Sequence, residues 1–263
     1  MVLIRAWWLV SLLAAAGCAV EPVQTGAIPL RSPTRSGKPL LGPVETIVID
    51  AGHGGHDPGT SHFGLREKTL ALDITKRLRT DLQNAGLTVV LTRESDQFIP
   101  LSGRPAIANR LKADLFVSVH INANKSSNVS GIEVYYPRLS VVSPGAHWPP
   151  SVQSSEVGAP SAIVKQILWD LVLSRTRIQS RRLASSVCRS MKAELQVACR
   201  GTRPARFVVL REAWMPSVLV EVGYVTNQAE ARRLASAQYR EAAAKGIADG
   251  IIAYVRELGA QHI

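Results

Sequence analysis

The sequence predicts an α/β fold: a mainly parallel, twisted sheet flanked by helices, in a single folded domain. Short apolar runs of strand length alternate along the chain with longer segments of helical periodicity, and this alternation is typical of βαβ units. Hydrophobic residues make up 46% of the 263 residues, which is enough for a packed core and too many for a disordered chain.

The first half of the domain shows the alternation most clearly. The run at 45–50 is apolar in its middle, as expected for a strand covered on both faces, and a glycine-rich loop follows it. Residues 66–85 carry an apolar stripe at helical spacing and stop at Gly86, a typical helix end. The remaining elements predicted in this half are strands at 87–92, 114–121 and 131–135 and a helix at 102–112.

The second half begins with a break in this rhythm. Half of the residues in 137–160 are proline, glycine or serine, so an insertion is predicted at about 137–175, with a short helix at 163–173 inside it. The alternation then resumes with helices at 181–195, 229–236 and 239–258 and strands at 206–210 and 217–222.

The chain begins with a segment typical of a secretory signal. Arg5 is the sole charge before Glu21, and the apolar run from 6 to 16 is shorter than the roughly 20 residues of a membrane-spanning helix. The run ends in Leu-Ala-Ala-Ala-Gly-Cys, which resembles a bacterial lipobox with Cys18 as the lipidated residue. An ordinary signal peptide with a chance cysteine is the alternative.

Three parts are therefore predicted along the chain. Residues 1–18 are the signal peptide, of the lipoprotein type. Residues 19–43 hold ten proline, glycine or serine residues and form a tether. Residues 44–263 form the folded domain, with the insertion at about 137–175.

The composition narrows the class of partner. The formal charge of +11 favours an anionic partner, such as a nucleic acid, a membrane surface or an acidic polymer. Aromatic residues are only 5% of the chain, which argues against a platform of rings that stacks nucleic-acid bases. No nucleic-acid partner is expected, and the chain is expected to be a monomer.

Three candidate metal ligands fall near the ends of predicted strands. His53 lies in the glycine-rich loop after the first strand, Glu67 in the first turn of the next helix, and His120 near the carboxyl end of the strand at 114–121. The carboxyl ends of parallel strands meet at one edge of a sheet, where binding sites form. Two histidines and one glutamate are typical of catalytic zinc, which keeps a fourth position open, so one Zn²⁺ per domain is predicted.

Glu221 interrupts the apolar strand at 217–222 near its carboxyl end. A lone buried carboxylate is costly unless it is paired or bound, and its functional interpretation is a general base beside the metal. Asp50 is a candidate to orient a ligand histidine. Arg93 and Arg104 are candidates to support the ligands or to contact substrate.

Each of these residues also has a purely structural interpretation. His53 alone fits a hydrogen-bonding loop histidine, and His120 alone fits a core histidine. Glu67 alone fits a carboxylate at a helix N-terminus, and Glu221 alone fits half of a buried ion pair. The convergence of all four on one predicted sheet edge favours the site.

Several ordered motifs resemble one known family. The similarity is to the zinc-dependent N-acetylmuramoyl-L-alanine amidases with the catalytic domain called amidase 3, and it runs from about residue 44 to residue 258 without the insertion. The motifs are TIVIDAGHGGHDPGT at 46–60, LREK at 65–68, ADLFVSVHINAN at 113–124 and VLREAWMPSVLVEVGYVTN at 209–227.

This resemblance implies a peptidoglycan hydrolase that cuts the amide between N-acetylmuramic acid and the L-alanine of the stem peptide, in cell wall remodelling or cell separation. It implies His53, Glu67 and His120 as zinc ligands and Glu221 as the catalytic glutamate. A catalytically silent peptidoglycan-binding regulator and a zinc carboxypeptidase acting on stem peptides are the alternatives. Together with the signal, it implies a periplasmic protein that Cys18 anchors to a membrane through its lipid.

The insertion is a candidate for regulation. Some relatives carry a helical insertion at this point, which plugs the zinc site until an activator protein removes it. Glu156 and Asp170 are the carboxylates that would then occupy the open zinc position. A surface loop without such a role is the alternative.

Two cysteines remain after lipidation. Cys188 and Cys199 are expected either to pair in an oxidising compartment or to remain as one buried and one free thiol, and the sequence does not decide between them.

Overall fold

The computed structural model describes residues 44–138 and 162–260, which all belong to one compact unit spanning Lys38–Ile263. The predicted signal peptide with Cys18, the tether at 19–43 and Glu156 lie outside the described residues. Within the described ranges, no helix is both long and apolar enough to cross a bilayer.

The described residues form one six-stranded sheet, one small hairpin and six helices. The strands are β1 (Thr46–Ala51), β2 (Ser61–His62), β3 (Leu65–Arg66), β4 (Thr88–Leu91), β5 (Leu115–Asn122), β6 (Ile132–Pro137), β7 (Cys199–Ala205) and β8 (Ser217–Tyr224). The helices are α1 (Glu67–Asn84), α2 (Gly103–Arg110), α3 (Ala162–Leu195), α4 (Val208–Arg211), α5 (Gln228–Ala235) and α6 (Ala237–Ala260).

The sheet has the strand order β4-β1-β5-β8-β6-β7, while β2 and β3 form the separate hairpin. The strands β4, β1, β5 and β8 run parallel to one another, β6 runs antiparallel to β8, and β7 runs parallel to β6. The predicted fold class, a mainly parallel α/β sheet flanked by helices, is therefore confirmed. The carboxyl ends of β1, β5 and β8 consequently share one sheet edge with the amino ends of β6 and β7.

The two faces of this sheet differ in chemistry. In β8, Val220 and Val222 belong to the large apolar core, whereas Leu219 and Glu221 point to the opposite face, because successive strand residues alternate. The helices α1, α3 and α6 cover the first face, which we call the helical face. The helices α2 and α4 cover part of the second, the site face, where the apolar core is smaller.

Two sequence predictions in the second half are wrong. The helices predicted at 163–173 and 181–195 are one continuous helix, α3, because residues 174–180 contain neither glycine nor proline to end it. The strand predicted at 206–210 is a loop followed by α4, since Val209 and Leu210 pack into the small core of the site face.

The strand observed in this region is β7, which ends at Ala205, directly before the strand predicted at 206–210. It forms the outer edge of the sheet, and its seven residues are all partly or fully exposed. An edge strand of polar and small residues with a proline carries no apolar alternation, so the sequence pattern does not reveal it.

Cys188 of α3 and Cys199 of β7 form a disulfide, with their Cα atoms 5.9 Å apart. This separation lies in the usual range for a disulfide. Of the two alternatives for these cysteines, a disulfide or two thiols, the structure therefore shows the disulfide. The bond ties the amino end of the edge strand β7 to the helical face. By loop-closure entropy, it contributes about 3 kcal/mol to stability.

Candidate active site

The loop after β1 places His53 over the sheet edge. Three glycines surround the histidine, and a Cβ atom at Gly52 would lie 2.5 Å from Cε1 of the His120 ring. His53 itself has a φ of +60°, a left-handed conformation that non-glycine residues rarely adopt. The loop therefore requires glycine at position 52 so that the two imidazoles can approach, with ring centroids 5.1 Å apart.

Glu67 is the first residue of α1, and its side chain is buried between the two histidines. Its Oε1 lies 2.8 Å from His120 Nδ1 and 3.1 Å from His53 Nε2. Its Oε2 accepts hydrogen bonds from the backbone N–H and the hydroxyl of Thr60. Burial alone would raise the pKa of Glu67, but the hydrogen bonds from His120 and His53 hold this pKa far below its usual range.

These three residues form a group with the donors that a metal ion requires. One ligand atom from each of His53, Glu67 and His120 lies within 4.8 Å of the others. Two imidazole nitrogens and one carboxylate oxygen fit the preferences of catalytic zinc. The structure thus brings together the three ligands that the sequence predicts.

Asp57 orients His53, a role that the sequence analysis assigned to Asp50. Its Oδ2 lies 2.8 Å from His53 Nδ1, which leaves Nε2 facing Glu67 within the candidate metal-ligand group. The carboxylate of Asp50 instead accepts hydrogen bonds from Thr92, Ser118 and Arg104. The prediction for Asp50 is therefore wrong. The Asp50 side chain lies on the site face below the loop and has no histidine partner among the described residues.

Arg93 and Arg104 hold the loop from beneath. Both side chains are almost fully buried, so neither is placed to contact a substrate. Arg93 donates to the carbonyls of Ala51 and Gly52, and Arg104 donates to those of Ala51 and His53. Of the two roles predicted for these arginines, the structure supports the first, which is to support the ligands.

Glu221 lies on β8 directly opposite His120 of β5. Its Oε2 is buried and has no hydrogen-bond partner among the described residues. Burial, followed by the carboxylates of Glu67 and Glu133, raises the pKa of Glu221 well above its usual value. A carboxyl group with a raised pKa, one strand away from a group of metal ligands, is suited to accept and return a proton.

The sequence analysis missed Glu133, which lies opposite Glu221 on the other side of β8. Glu133 is buried and accepts hydrogen bonds from the hydroxyls of Tyr135 and Tyr224 at 2.7 Å and 2.9 Å. A single acidic residue near the start of a short strand carries little signal by itself. Its position next to Glu221 depends on the antiparallel pairing of β6 with β8, which a sequence pattern does not specify.

Asp170, predicted as one of two plug carboxylates, is an exposed residue of α3. It is not a member of the metal-ligand group among the described residues. Glu156, the other carboxylate predicted for the plug, lies outside the described residues, so the plug stays a prediction.

Known proteins match this chain over most of the folded domain. The family described as Amidase_3, N-acetylmuramoyl-L-alanine amidase, matches residues 47–253. The N-acetylmuramoyl-L-alanine amidase LytC of Bacillus subtilis (strain 168) is 35% identical over 232 residues, which are 88% of this chain and 39% of LytC. The chain therefore spans less than half the length of that relative.

Solved structures agree with the sequence matches. The amidase AmiC2 of Nostoc punctiforme superposes with a TM-score of 0.63 at 35% identity, covering 82% of this chain and 99% of AmiC2. The CwlD amidase of Clostridioides difficile, solved in complex with the GerS lipoprotein, gives a TM-score of 0.64 at 27% identity, covering 80% and 98%. The predicted resemblance is confirmed, and the chain belongs to the N-acetylmuramoyl-L-alanine amidases, a family of peptidoglycan hydrolases.

Proposed function

We propose that this chain is a zinc-dependent enzyme that hydrolyses the amide between N-acetylmuramic acid and the L-alanine of the stem peptide. The observation that carries the proposal is the placement of Glu221 opposite His120, with a buried oxygen that no described residue satisfies. A proton-transfer group and a set of metal ligands on neighbouring strands are what amide hydrolysis requires.

In this mechanism His53, Glu67 and His120 would hold one zinc ion. Bound there, the metal would polarise the amide carbonyl and acidify water. Glu221 takes a proton from the attacking water and returns it to the leaving nitrogen of L-alanine. Asp57 and Thr60 fix the orientations of His53 and Glu67 throughout.

The test is incubation of the mature protein, loaded with one equivalent of Zn²⁺, with purified peptidoglycan, followed by mass analysis of the fragments. The proposal expects peptides that begin at L-alanine and glycan left without stems. Shortened stems still attached to glycan would instead support the zinc carboxypeptidase. Binding to peptidoglycan without any release would support the silent regulator.

The metal is tested separately. His120→Ala removes one of three ligands, so bound zinc and activity should be lost together. Substitution of His62, a histidine of the exposed hairpin, by alanine is the matched control and should change neither. Full activity of the His120→Ala variant after treatment with a chelator would contradict the zinc mechanism.

We propose further that the protein acts in the periplasm, anchored to a membrane through a lipid on Cys18. The signal-like segment at 1–18 and the tether support this placement. Cells labelled with a radioactive fatty acid should yield labelled protein, and Cys18→Ser should abolish the label. An unlabelled wild-type protein would contradict the anchor.

We propose that α3 takes part in regulation of this amidase by a partner protein. The first half of this helix exposes an apolar row at intervals of four residues, formed by Ile163, Ile167 and Leu171. Exposed apolar rows of this kind are typical of protein-binding surfaces. The structure of the CwlD amidase in complex with the GerS lipoprotein supports a protein partner for an amidase of this fold.

The plug is tested by removal of the insertion. A folded variant without residues 138–173 should hydrolyse peptidoglycan faster than the intact protein, and Glu156→Gln with Asp170→Asn should do the same if a carboxylate blocks the site. The control for loss of an exposed carboxylate is Glu257→Gln, in an exposed residue of α6. Unchanged activity in both variants would rule out the plug.

A further inference from the structure

Two arginines of the edge strand β7 lie beside the site without taking part in it. Arg200 Nε is 3.4 Å and Arg203 Nη1 is 3.5 Å from the same atom, Oε1 of Glu133. Their side chains are 38% and 53% exposed, whereas Glu133 is 4% exposed. The two guanidinium groups, which we call the arginine pair, are thus held by a buried anchor while they face solvent.

The arginine pair keeps an excess of positive charge. Glu133 provides one negative charge for two guanidinium groups, and its Oε2 is already occupied by Tyr135, Tyr224 and Asn122. Each guanidinium has five N–H donors. Arg200 directs Nε to Glu133 and donates from Nη1 to the carbonyl of Ser130, and Arg203 directs Nη1 to Glu133. Most donors of the arginine pair remain available to an anion.

The pair is also placed within reach of the reaction. Glu133 lies opposite Glu221 in the β6–β8 register, and Arg203 lies opposite Tyr135 in the β6–β7 register. The strand β7 is therefore two strand spacings, or about 10 Å, from the strand that carries Glu221. A peptide advances about 3.5 Å per residue when extended, so this distance corresponds to two or three residues from the scissile amide.

The position of β7 is fixed by the fold. Cys199, which directly precedes Arg200, is bonded to Cys188 of α3, and β7 pairs with β6 along its length. Phe207, just beyond the strand, packs edge-on against Tyr135 at 5.2 Å between centroids and remains partly exposed. The surface next to Glu221 therefore offers fixed cationic groups beside an aromatic ring, which reduces the entropy cost of binding.

The chemistry of the substrate identifies the ligand. In peptidoglycan the N-acetyl sugars are uncharged and the lactyl carboxyl is consumed in the amide, so the free carboxylates near the cut belong to the peptide. We propose that Arg200 and Arg203 form a subsite that binds a free carboxylate of the stem peptide, on the leaving side of the scissile amide. This inference rests on the proposed function, and planar guanidinium groups are the side chains best suited to carboxylates.

The test uses two probes, N-acetylmuramoyl-L-alanyl-D-glutamate and the same compound with both carboxyl groups amidated. Binding is measured by calorimetry on the zinc-loaded protein carrying Glu221→Gln, so that hydrolysis does not interfere. The free acid should bind about tenfold or more tightly than the amidated form. When Arg200→Gln and Arg203→Gln are added to the Glu221→Gln protein, the preference for the free acid should disappear, and binding of the amidated form should stay unchanged.

The matched control is Arg189→Gln, which removes an exposed arginine of α3 whose ion-pair partner is Glu257 of α6 rather than Glu133. It should keep the preference for the free acid. Equal binding of the two probes, or an equal loss on both in the arginine variants, would overturn the subsite. A third result would also overturn the subsite: binding of a phosphate-rich wall polymer that depends on the arginine pair, while the two probes bind equally.

The subsite and the proposed function can fail independently. Mass analysis of the same two probes after incubation with the wild-type protein reports hydrolysis alone. If neither probe is cut, the reaction proposed above is wrong, whereas the calorimetric preference still decides the subsite.

Discussion

The helical face and the site face of the sheet are built by the same strands but are stabilised differently. On the helical face, aliphatic strand side chains such as Val220 pack against three helices in one large apolar core. On the site face, the buried set includes Asp50, Arg104 and Ser118, which are joined by hydrogen bonds. The period-two alternation of a strand therefore lets one segment supply both the apolar core and the polar support of a reactive centre.

This division predicts opposite responses to mutation. Changes on the site face should reduce activity, and those that break its ion pairs should also reduce stability. Changes on the helical face should reduce stability alone. The four predictions below run from the largest expected effect to the smallest.

Glu221→Gln should give the largest effect. It keeps the shape of the side chain but removes the group that transfers the proton, so turnover should fall by about 100-fold to 10,000-fold. The midpoint of thermal unfolding should not fall, because Oε2 of this carboxyl group is buried without a hydrogen-bond partner among the described residues, and a neutral amide there costs no more than a charge. Turnover on soluble muropeptides and circular dichroism measure the two effects.

The control for that variant is Glu212→Gln, in a partly exposed residue after α4. Turnover should be unchanged there. Retention of more than about a tenth of the activity by Glu221→Gln would contradict its role as the general base.

Asp50→Ala should have the largest effect on stability. The carboxylate of Asp50 lies 3.0 Å from Arg104 Nη1, and both side chains are buried, so its removal leaves an unpaired buried charge. The free energy of unfolding should fall by about 3–5 kcal/mol, and chemical denaturation measures it. Zinc affinity should fall as well, because Arg104 also holds the carbonyl of His53.

The matched comparison is Asp50→Ala combined with Arg104→Met. Removing both charges should recover part of the lost stability, since a buried pair costs less to replace than to break. If the double variant loses more unfolding free energy than the two single variants lose together, the ion pair does not explain the effect.

Gly250→Ala tests the helical face. A Cβ atom at this position in α6 would lie 2.5 Å from Cα of Val187 in α3, and backbone atoms cannot rotate away. The two helices must separate, so stability should fall by about 1–3 kcal/mol although alanine is the better helix former. Turnover per folded molecule should remain at the wild-type level.

Gly246→Ala is the control, because its Cβ would lie 3.0 Å from Cα of Met191, a milder contact one turn away. It should cost less than Gly250→Ala in the same denaturation experiment. An equal or larger cost at Gly246 would mean that the close approach of α3 and α6 is not what limits these positions.

The same comparison explains how much the sequence reveals. Strands with a buried face on each side carry long apolar runs, so β5 and β8 are evident, and any polar residue within them, such as His120 or Glu221, stands out. The three residues of the candidate metal-ligand group and the buried glutamate could therefore be singled out in advance.

Features that depend on pairing between distant segments could not be found in this way. The edge strand β7 is partly exposed and has no apolar pattern, and Glu133 acquires its place only because β6 runs antiparallel to β8. The choice of Asp57 rather than Asp50 as the partner of His53 depends on the backbone path of a glycine-rich loop, in which His53 has a positive φ.

Asp73→Asn should give the smallest effect, at the margin of the helical face. Asp73 of α1 lies 3.0 Å from Arg77 Nε and 2.5 Å from Arg240 Nε of α6. Burial raises the pKa of Asp73, but the hydrogen bonds from the two arginines outweigh it and lower the pKa below its ordinary 3.8. Since the carboxylate is about one-third exposed, solvent screens the pair, and its removal should cost less than about 1 kcal/mol at pH 7.

The sign of its pH dependence follows from the lowered pKa. An acid whose pKa is lower in the folded state stabilises the fold above its unfolded pKa and loses that contribution as the pH falls through the folded value. The difference in unfolding free energy between wild type and Asp73→Asn should therefore be constant from pH 5 to 7 and decrease as the pH falls below the ordinary pKa of 3.8. A difference that grows on acidification would mean that Asp73 is stabilised in its protonated form, and its ion pairs with Arg77 and Arg240 would then not be the source of its contribution at neutral pH.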